Sequence, residues 1–376
     1  MRQKTAISLR KRIVFTVVAV ALAWLSAEAM VLSYWLGQPP PVTLERNSLY
    51  QAHPYRAYAP VPNTMNGVRT RSFNSFGLRG TAVSFEKPSN TIRIACLGGS
   101  TTYSDGATTD GHTYPARMER LLHEHYGDGS FRIEVLNAGV QACVSLESLI
   151  HFETQLLDLS PDIAIFHHGT NDGWFMIAFS DFQSDYIHVR RTLGGVPPKW
   201  WEYSPLLSYY CARRSVNNPY FPARNVNLNQ LIITRPAILW DSRAGRYGEA
   251  TPAMVAAFER NVHSFVSVAR GNGVIPVLST VVSQDDRDWA GLWFRAYGRI
   301  NTAIRNVAVR ESVDLIDFAR LMPWNPTDFY DACHLKDTPG GLGRKAQIFA
   351  QALIEMGVVE RACERRWEHR QGRRDR

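Results

Sequence analysis

The chain has 376 residues, 45% of them hydrophobic and 20% charged, enough to bury a full core and too apolar for a disordered polymer. Its formal net charge of +8 sits at the two ends: residues 1–12 hold Arg2, Lys4, Arg10, Lys11 and Arg12 with no acid, and residues 360–376 hold seven Arg against Glu360, Glu364, Glu368 and Asp375. The body between them balances near zero, which excludes the domain-wide basic face of a nucleic-acid binder.

The basic start leads into residues 13–35, apolar except for Thr16, Ser26, Glu28 and Ser33. At about 1.5 Å per residue a helix of that length is roughly 34 Å long, enough to cross a hydrocarbon core of about 30 Å. Glu28 falls in its later half, where a carboxylate costs less than at the midplane. Two readings stand: a retained transmembrane helix over 13–36, or a cleaved signal peptide with 13–25 as its apolar core and Ala27-Glu28-Ala29 as the cleavage site. In both, residues 1–12 stay cytoplasmic and the remainder is exported to the periplasm or beyond, with the membrane as a partner of the retained form. Five cysteines, Cys96, Cys143, Cys211, Cys333 and Cys363, form no CxxC pair and no disulfide framework. A bridge between Cys143 and Cys333 is the pairing to look for, because both lie beside chemically suggestive segments.

Pro39-Pro40-Pro41 reads as a stiff extended spacer. Residues 37–90 form a linker and lead-in, in which Asn74-Ser75-Phe76-Gly77-Leu78-Arg79-Gly80 is too apolar to run free and should pack on the domain beyond residue 90. From residue 91 the pattern alternates: strand 91–97, helix 113–125, strand 131–137, helix 145–159, strand 162–167, helix 251–272, strand 274–281, helix 293–311, strand 313–318 and helix 338–356. Strands this apolar, separated by helices, predict a parallel sheet covered on both faces, a doubly wound α/β domain over 91–358. Residues 173–250 interrupt the rhythm with an insertion rich in aromatics, including Trp174, Trp200, Trp201, Tyr209, Tyr210 and Trp240. Connections this long are lids, binding elements or small subdomains, and Trp174, beside Asn171, is the residue placed to line a substrate cleft. Residues 359–376 read as a solvated basic tail.

Four short segments carry the chemistry: Gly98-Gly99-Ser100-Thr101, Asn137-Ala138-Gly139, Gly169-Thr170-Asn171-Asp172 and Asp331-Ala332-Cys333-His334. The first three come directly after predicted strands, and ligands of open parallel sheets bind beyond the strands' carboxyl ends. A serine after Gly-Gly is by itself an ordinary N-cap, and Asp-x-x-His arises by chance in a chain with 11 His. Together they supply a reaction. Ser100 is the nucleophile and His334 its base, while Asp331, three residues before His334 at the start of a helix, accepts the Nδ1 proton. The backbone N–H groups of Ser100 and Gly139 and the side-chain amide of Asn171 are the donors for an oxyanion, glycine at 139 letting the main chain approach closely. The G-x-S-x-G elbow fails at Thr102, and neither the dinucleotide fingerprint nor the P-loop is present. His167 and His168 would face opposite sides of a strand and no H-E-x-x-H exists, so no metal and no cofactor are expected.

The ordered blocks Gly-Gly-Ser-Thr, Asn-Ala-Gly, Gly-Thr-Asn-Asp and Asp-x-x-His resemble the four blocks of the SGNH (GDSL-type) hydrolases, over residues 74–356. Residues 74–80 are similar to a lead-in of exported bacterial members. The resemblance implies a flavodoxin-like three-layer α/β/α sandwich on a five-stranded parallel sheet, with Ser100 as nucleophile, Gly139 and Asn171 as oxyanion donors, His334 as base and Asp331 as its partner. Gly99 departs from the Asp that many members carry in Gly-Asp-Ser, and the long insertion departs from the family pattern as a whole. The expected activity is hydrolysis of an acyl ester, such as an acetyl ester, on a carbohydrate or lipid of the cell envelope. An O-acyltransferase using the same acyl-enzyme and a non-catalytic carbohydrate-binding protein are the two other readings.

Overall fold

The computed structural model describes residues 8–37, 49–51, 53, 55–65, 72–127, 131–178, 183–186, 204, 206–207, 248–283, 290–323 and 325–374. The apolar run at the start is one helix, α1 (Leu9–Gly37), long and apolar enough over Leu9–Tyr34 to cross a membrane, and none of that stretch is buried in the protein. Two short antiparallel strands come next, β1 (Tyr50–Gln51) and β2 (Ala59–Pro60). Tyr50, Tyr58, Phe73 and Leu78 are buried in the same core cluster as Leu97 and Leu136, so the aromatics before residue 80 cover the sheet.

Five parallel strands form the centre: β3 (Thr91–Gly98), β4 (Arg132–Gly139), β5 (Ile163–His167), β6 (Ile275–Ser279) and β7 (Asp314–Ile316), in the order β4-β3-β5-β6-β7. This is the flavodoxin-like order expected. The three inner strands are buried along their whole length, as their near-continuous apolar sequence requires when both faces are covered. Successive side chains alternate between two cores: Ile92, Ile94 and Cys96 of β3 enter one, Ala95 and Leu97 the other. The chain reverses direction across the sheet between β3 and β5, the switch point at which ligands of such folds bind.

One outer layer holds α4 (Ser145–His151), α5 (Thr170–Ala178), α6 (Pro252–Gly271) and α7 (Ala290–Arg310), whose Phe258, Phe265, Ile300 and Val307 are fully buried. The other holds α3 (Tyr114–His125) and α9 (Arg344–Glu355), with the short α2 (Ser100–Tyr103) and α8 (Phe318–Leu321) at strand ends. The helix expected over 145–159 is regular only to His151. It continues as a π turn, Phe152–Leu156, and a 3-10 turn, Leu157–Leu159, that keep Phe152, Leu156 and Leu159 in the core.

The C-terminal residues correct the expectation of a solvated tail. They form helix α10 (Val358–Arg374), which buries Val358, Val359 and Ala362, pairs Arg361 with Asp314, and has Arg366 donate to the Thr91 carbonyl. A small apolar set spaced at one helical turn was hidden by the surrounding charge. Cys96, Cys143, Cys333 and Cys363 are free thiols, so the Cys143–Cys333 bridge is absent. Trp200, Trp201, Tyr209, Tyr210, Trp240 and Cys211 lie outside the described residues.

Candidate active site

Ser100 opens α2 directly beyond β3 and is 7% exposed. As the first residue of a helical turn, its N–H has no partner within the helix. Gly99 before it is required by crowding: a Cβ there would lie 2.7 Å from Asn171 Nδ2 and 3.2 Å from the Cys143 carbonyl. A larger side chain such as Asp has no room there against Asn171 in this arrangement.

His334 reaches Ser100 from 234 positions downstream, with Nε2 2.6 Å from Oγ, while Nδ1 lies 2.6 Å from Asp331 Oδ2. The pair is not at the start of a helix, as the spacing suggested. It sits in a tight turn closed by an antiparallel bridge between Phe329 and Leu335. Asp331 Oδ1 accepts the N–H groups of Cys333 and His334, each at 2.9 Å; this Asx-type turn aims the other oxygen at Nδ1. Tyr330 stacks on the imidazole, centroids 5.3 Å apart and 11° from parallel, with its hydroxyl on Asp105 Oδ2 at 3.1 Å. Three residues on, Asp337 accepts the Thr108 N–H at 3.0 Å and pairs with Arg117, tying this loop to the segment after Ser100.

The electrostatics suit a proton relay. Burial alone would lower the His334 imidazole, but the Cys333 sulfur and the hydrogen-bonded Asp331 carboxylate reverse that and hold it well above 6.5. Burial would raise Asp331, and the His334 hydrogen bond and charge outweigh it, leaving the carboxyl below its ordinary range. Asp331, Cys333 and His334 also bring an oxygen, a sulfur and a nitrogen within 4.8 Å of one another; a cation there would compete with the proton on Nδ1.

The oxyanion side departs from expectation at one position. Asn171, second residue of α5, donates from Nδ2 to the Cys143 carbonyl at 2.8 Å and has a second proton to offer. Gly139, however, donates its N–H to Asn137 Oδ1 at 3.1 Å, and a Cβ on it would stand 2.0 Å from the Tyr103 nitrogen. Glycine is needed there so that β4 can lie against the turn carrying Ser100, and its N–H is already used. Three residues later Ala142 holds a left-handed φ of 56°, uncommon for a residue with a side chain, and its N–H makes no hydrogen bond among the described residues. Trp174 is 8% exposed and packed on Trp293, centroids 5.1 Å apart, in the core between α5 and α7.

Residues 96–338, nearly two thirds of the chain, match the GDSL-like Lipase/Acylhydrolase family. The chain belongs to that family. This acylhydrolase is therefore an ester-hydrolysing enzyme. Among solved structures it is similar to a catalytic mutant of Axe2, an acetylxylan esterase from Geobacillus stearothermophilus, at 12% identity and a TM-score of 0.44, covering 70% of this chain and 94% of that one. It is also similar to LAE5, an alpha/beta hydrolase enzyme from the metagenome of Lake Arreo, Spain, at 16% identity and a TM-score of 0.41, covering 71% and 96%. TesA gives 14% identity and a TM-score of 0.41 over 70% and 98%. No curated protein sequence matches it.

Three buried polar groups whose contacts the sequence did not announce support the acylhydrolase site. Arg79 donates from Nε to Asp110 Oδ1 at 2.9 Å and from one Nη to the carbonyls of Tyr103 and Ser104 at 2.7 and 2.9 Å, and lies over the Tyr103 ring. It thus caps the end of α2 opposite Ser100. Lys345, 1% exposed, donates to the Thr101 carbonyl and reaches His167 Nε2, both at 2.9 Å, above the Tyr114 ring; burial lowers it to about 7. Asp172, fully buried, accepts the Ser145 N–H and hydroxyl and the Tyr186 hydroxyl, and burial raises it to about 6. It fixes the helix bearing Asn171 to the start of α4. Each contact joins residues distant in sequence, so no local pattern announced it.

Proposed function

We propose that the protein is a serine esterase in which Ser100 attacks an ester carbonyl, His334 takes the hydroxyl proton and Asp331 holds the imidazole. The observation that carries this reading is the pair of 2.6 Å contacts running from Ser100 Oγ through His334 to Asp331. With Nδ1–H donated to Asp331, Nε2 keeps its lone pair facing Oγ, the tautomer a general base needs. The proton then passes from His334 to the departing alcohol, the acyl group stays on Ser100, and water repeats the sequence to release the acid. The oxyanion is held by the Ser100 N–H, the second Nδ2 proton of Asn171 and the Ala142 N–H, which takes the place first given to Gly139. Each such donor is worth roughly 10²- to 10³-fold in rate.

With α1 retained as an anchor and the catalytic domain outside the cytoplasm, the substrate is an acyl ester on an envelope carbohydrate or lipid. The near-complete burial of Ser100 also favours a second reading, acyl transfer to a sugar hydroxyl that enters in place of water. The two separate with p-nitrophenyl acetate, alongside Ser100→Ala and His334→Ala. Steady turnover without acceptor supports the esterase. A single burst that continues only when a sugar is added supports the transferase, and turnover unchanged in both variants would remove the reading altogether.

A further inference from the structure

Helix α1 leaves most of its apolar side chains exposed, Val14, Phe15, Val17, Leu22 and Leu25 among them. Ala27, Glu28 and Val31, sharing one face near its outer end, are partly covered instead. Glu28 is the only acid in the helix. Its Oε1 accepts the Ser204 hydroxyl, its Oε2 accepts the Leu206 N–H at 3.0 Å, and Ser204 Oγ accepts the Leu207 N–H at 3.1 Å. A carboxylate of the membrane-type helix is thus satisfied by the start of a helical turn from the insertion.

The depth of that contact gives it meaning. Arg10, Lys11 and Arg12 mark the cytoplasmic side, and Glu28 lies fifteen residues beyond Ile13, about 22 Å along the axis. In a hydrocarbon core of about 30 Å this is roughly 8 Å inside the outer boundary, where an ionisable side chain needs a partner that travels with it. The partner here is the Ser204 hydroxyl and the Leu206 N–H. The composition on either side fits the same place: Trp200, Trp201 and Tyr203 precede the contact and Tyr209 and Tyr210 come after it, residue types that collect at membrane interfaces. Arg190, Arg191, Arg213 and Arg214 flank the stretch, with charge suited to anionic headgroups.

We propose that Ser204, Leu206 and Leu207 of the insertion lie in the outer leaflet beside α1, with Glu28 as the bond that holds them there. This rests on α1 being retained. The contact supports retention, because cleavage at Ala27-Glu28-Ala29 would leave Ser204 and Leu206 without their acceptor. The insertion departs from α5, the helix that carries Asn171, so the active site is tethered to the bilayer on two sides and meets esters at its outer surface.

The test uses the full-length protein in liposomes, with benzoylphenylalanine introduced separately at Leu25 and Leu207, irradiated, and analysed by mass for lipid adducts. Fluorophosphonate labelling of Ser100 checks that each variant is folded. Lipid adducts are expected at both positions, and Glu28→Ala is expected to abolish the adduct at 207 while leaving that at 25. An adduct at 25 alone overturns the proposal and leaves the anchor intact. No adduct at either position overturns both, and an adduct at 207 that survives Glu28→Ala overturns the role given to Glu28.

Discussion

Replacing Asp331 by Asn changes one atom of the relay and little of its packing. Asp331 uses Oδ1 for the Cys333 and His334 N–H groups and Oδ2 for His334 Nδ1. In Asp331→Asn the amide oxygen has to stay with the two main-chain donors, so the NH2 group faces Nδ1. Nδ1 then becomes an acceptor, the proton moves to Nε2, and the nitrogen 2.6 Å from Ser100 Oγ can no longer take its proton. The same tautomer change in a Ser-His-Asp protease costs about 10⁴-fold in kcat, about 5 kcal/mol of barrier. The assay is kcat/KM on p-nitrophenyl acetate together with the thermal midpoint, since the Asx-type turn survives and the fold should hold. A loss within tenfold of wild type would refute the reasoning, because it would mean that Asp331 does not set the protonation of His334.

The pH dependence comes from the raised His334: kcat/KM should climb through an apparent pKa above 6.5, and Asp331→Ala should move that limb downward. The protonated pair also contributes stability that is fully present below 6.5 and is lost as pH rises through the folded-state value, which melting curves across pH will read. Arg79→Met removes the cation facing a partly buried Asp110, whose Oδ2 keeps the Ser72 donors, and takes one donor from each of the Tyr103 and Ser104 carbonyls at the end of α2. About 3 kcal/mol, or roughly 6–12 °C in Tm, is expected, and a shift under 2 °C would count against that role. Lys345 titrates near 7 in the fold, against 10.5 unfolded, so the neutral form is favoured and stability should rise with pH between those values. Lys345→Met should flatten that rise, and an unchanged slope would place its origin elsewhere.

The sheet was legible because β3, β5 and β6 bury both faces and so read as unbroken apolar runs, and the residues just beyond them fell at the strand ends as expected. What the sequence concealed was geometry that depends on contacts across the chain. Asp331 and His334 meet as predicted, but through an Asx-type turn, because a helix start and a turn share the same i,i+3 spacing. Gly139 looked like a substrate-facing glycine, yet its missing side chain accommodates the Tyr103 backbone; the positive φ at Ala142 had no sequence signal. Trp174, singled out for its place beside Asn171, packs into the seam with Trp293, a contact across the chain that no local pattern carries. In α10, Val358, Val359 and Ala362 were outnumbered by charge, although they are the residues of the helix that enter the core.

Mass mapping of a fluorophosphonate adduct bears most directly on whether the hydroxyl of Ser100 is activated by His334. A single adduct on Ser100 in the wild type, lost in His334→Ala while the fold persists, is the predicted result. An adduct on another residue, or labelling of Ser100 at an undiminished rate without His334, would contradict it.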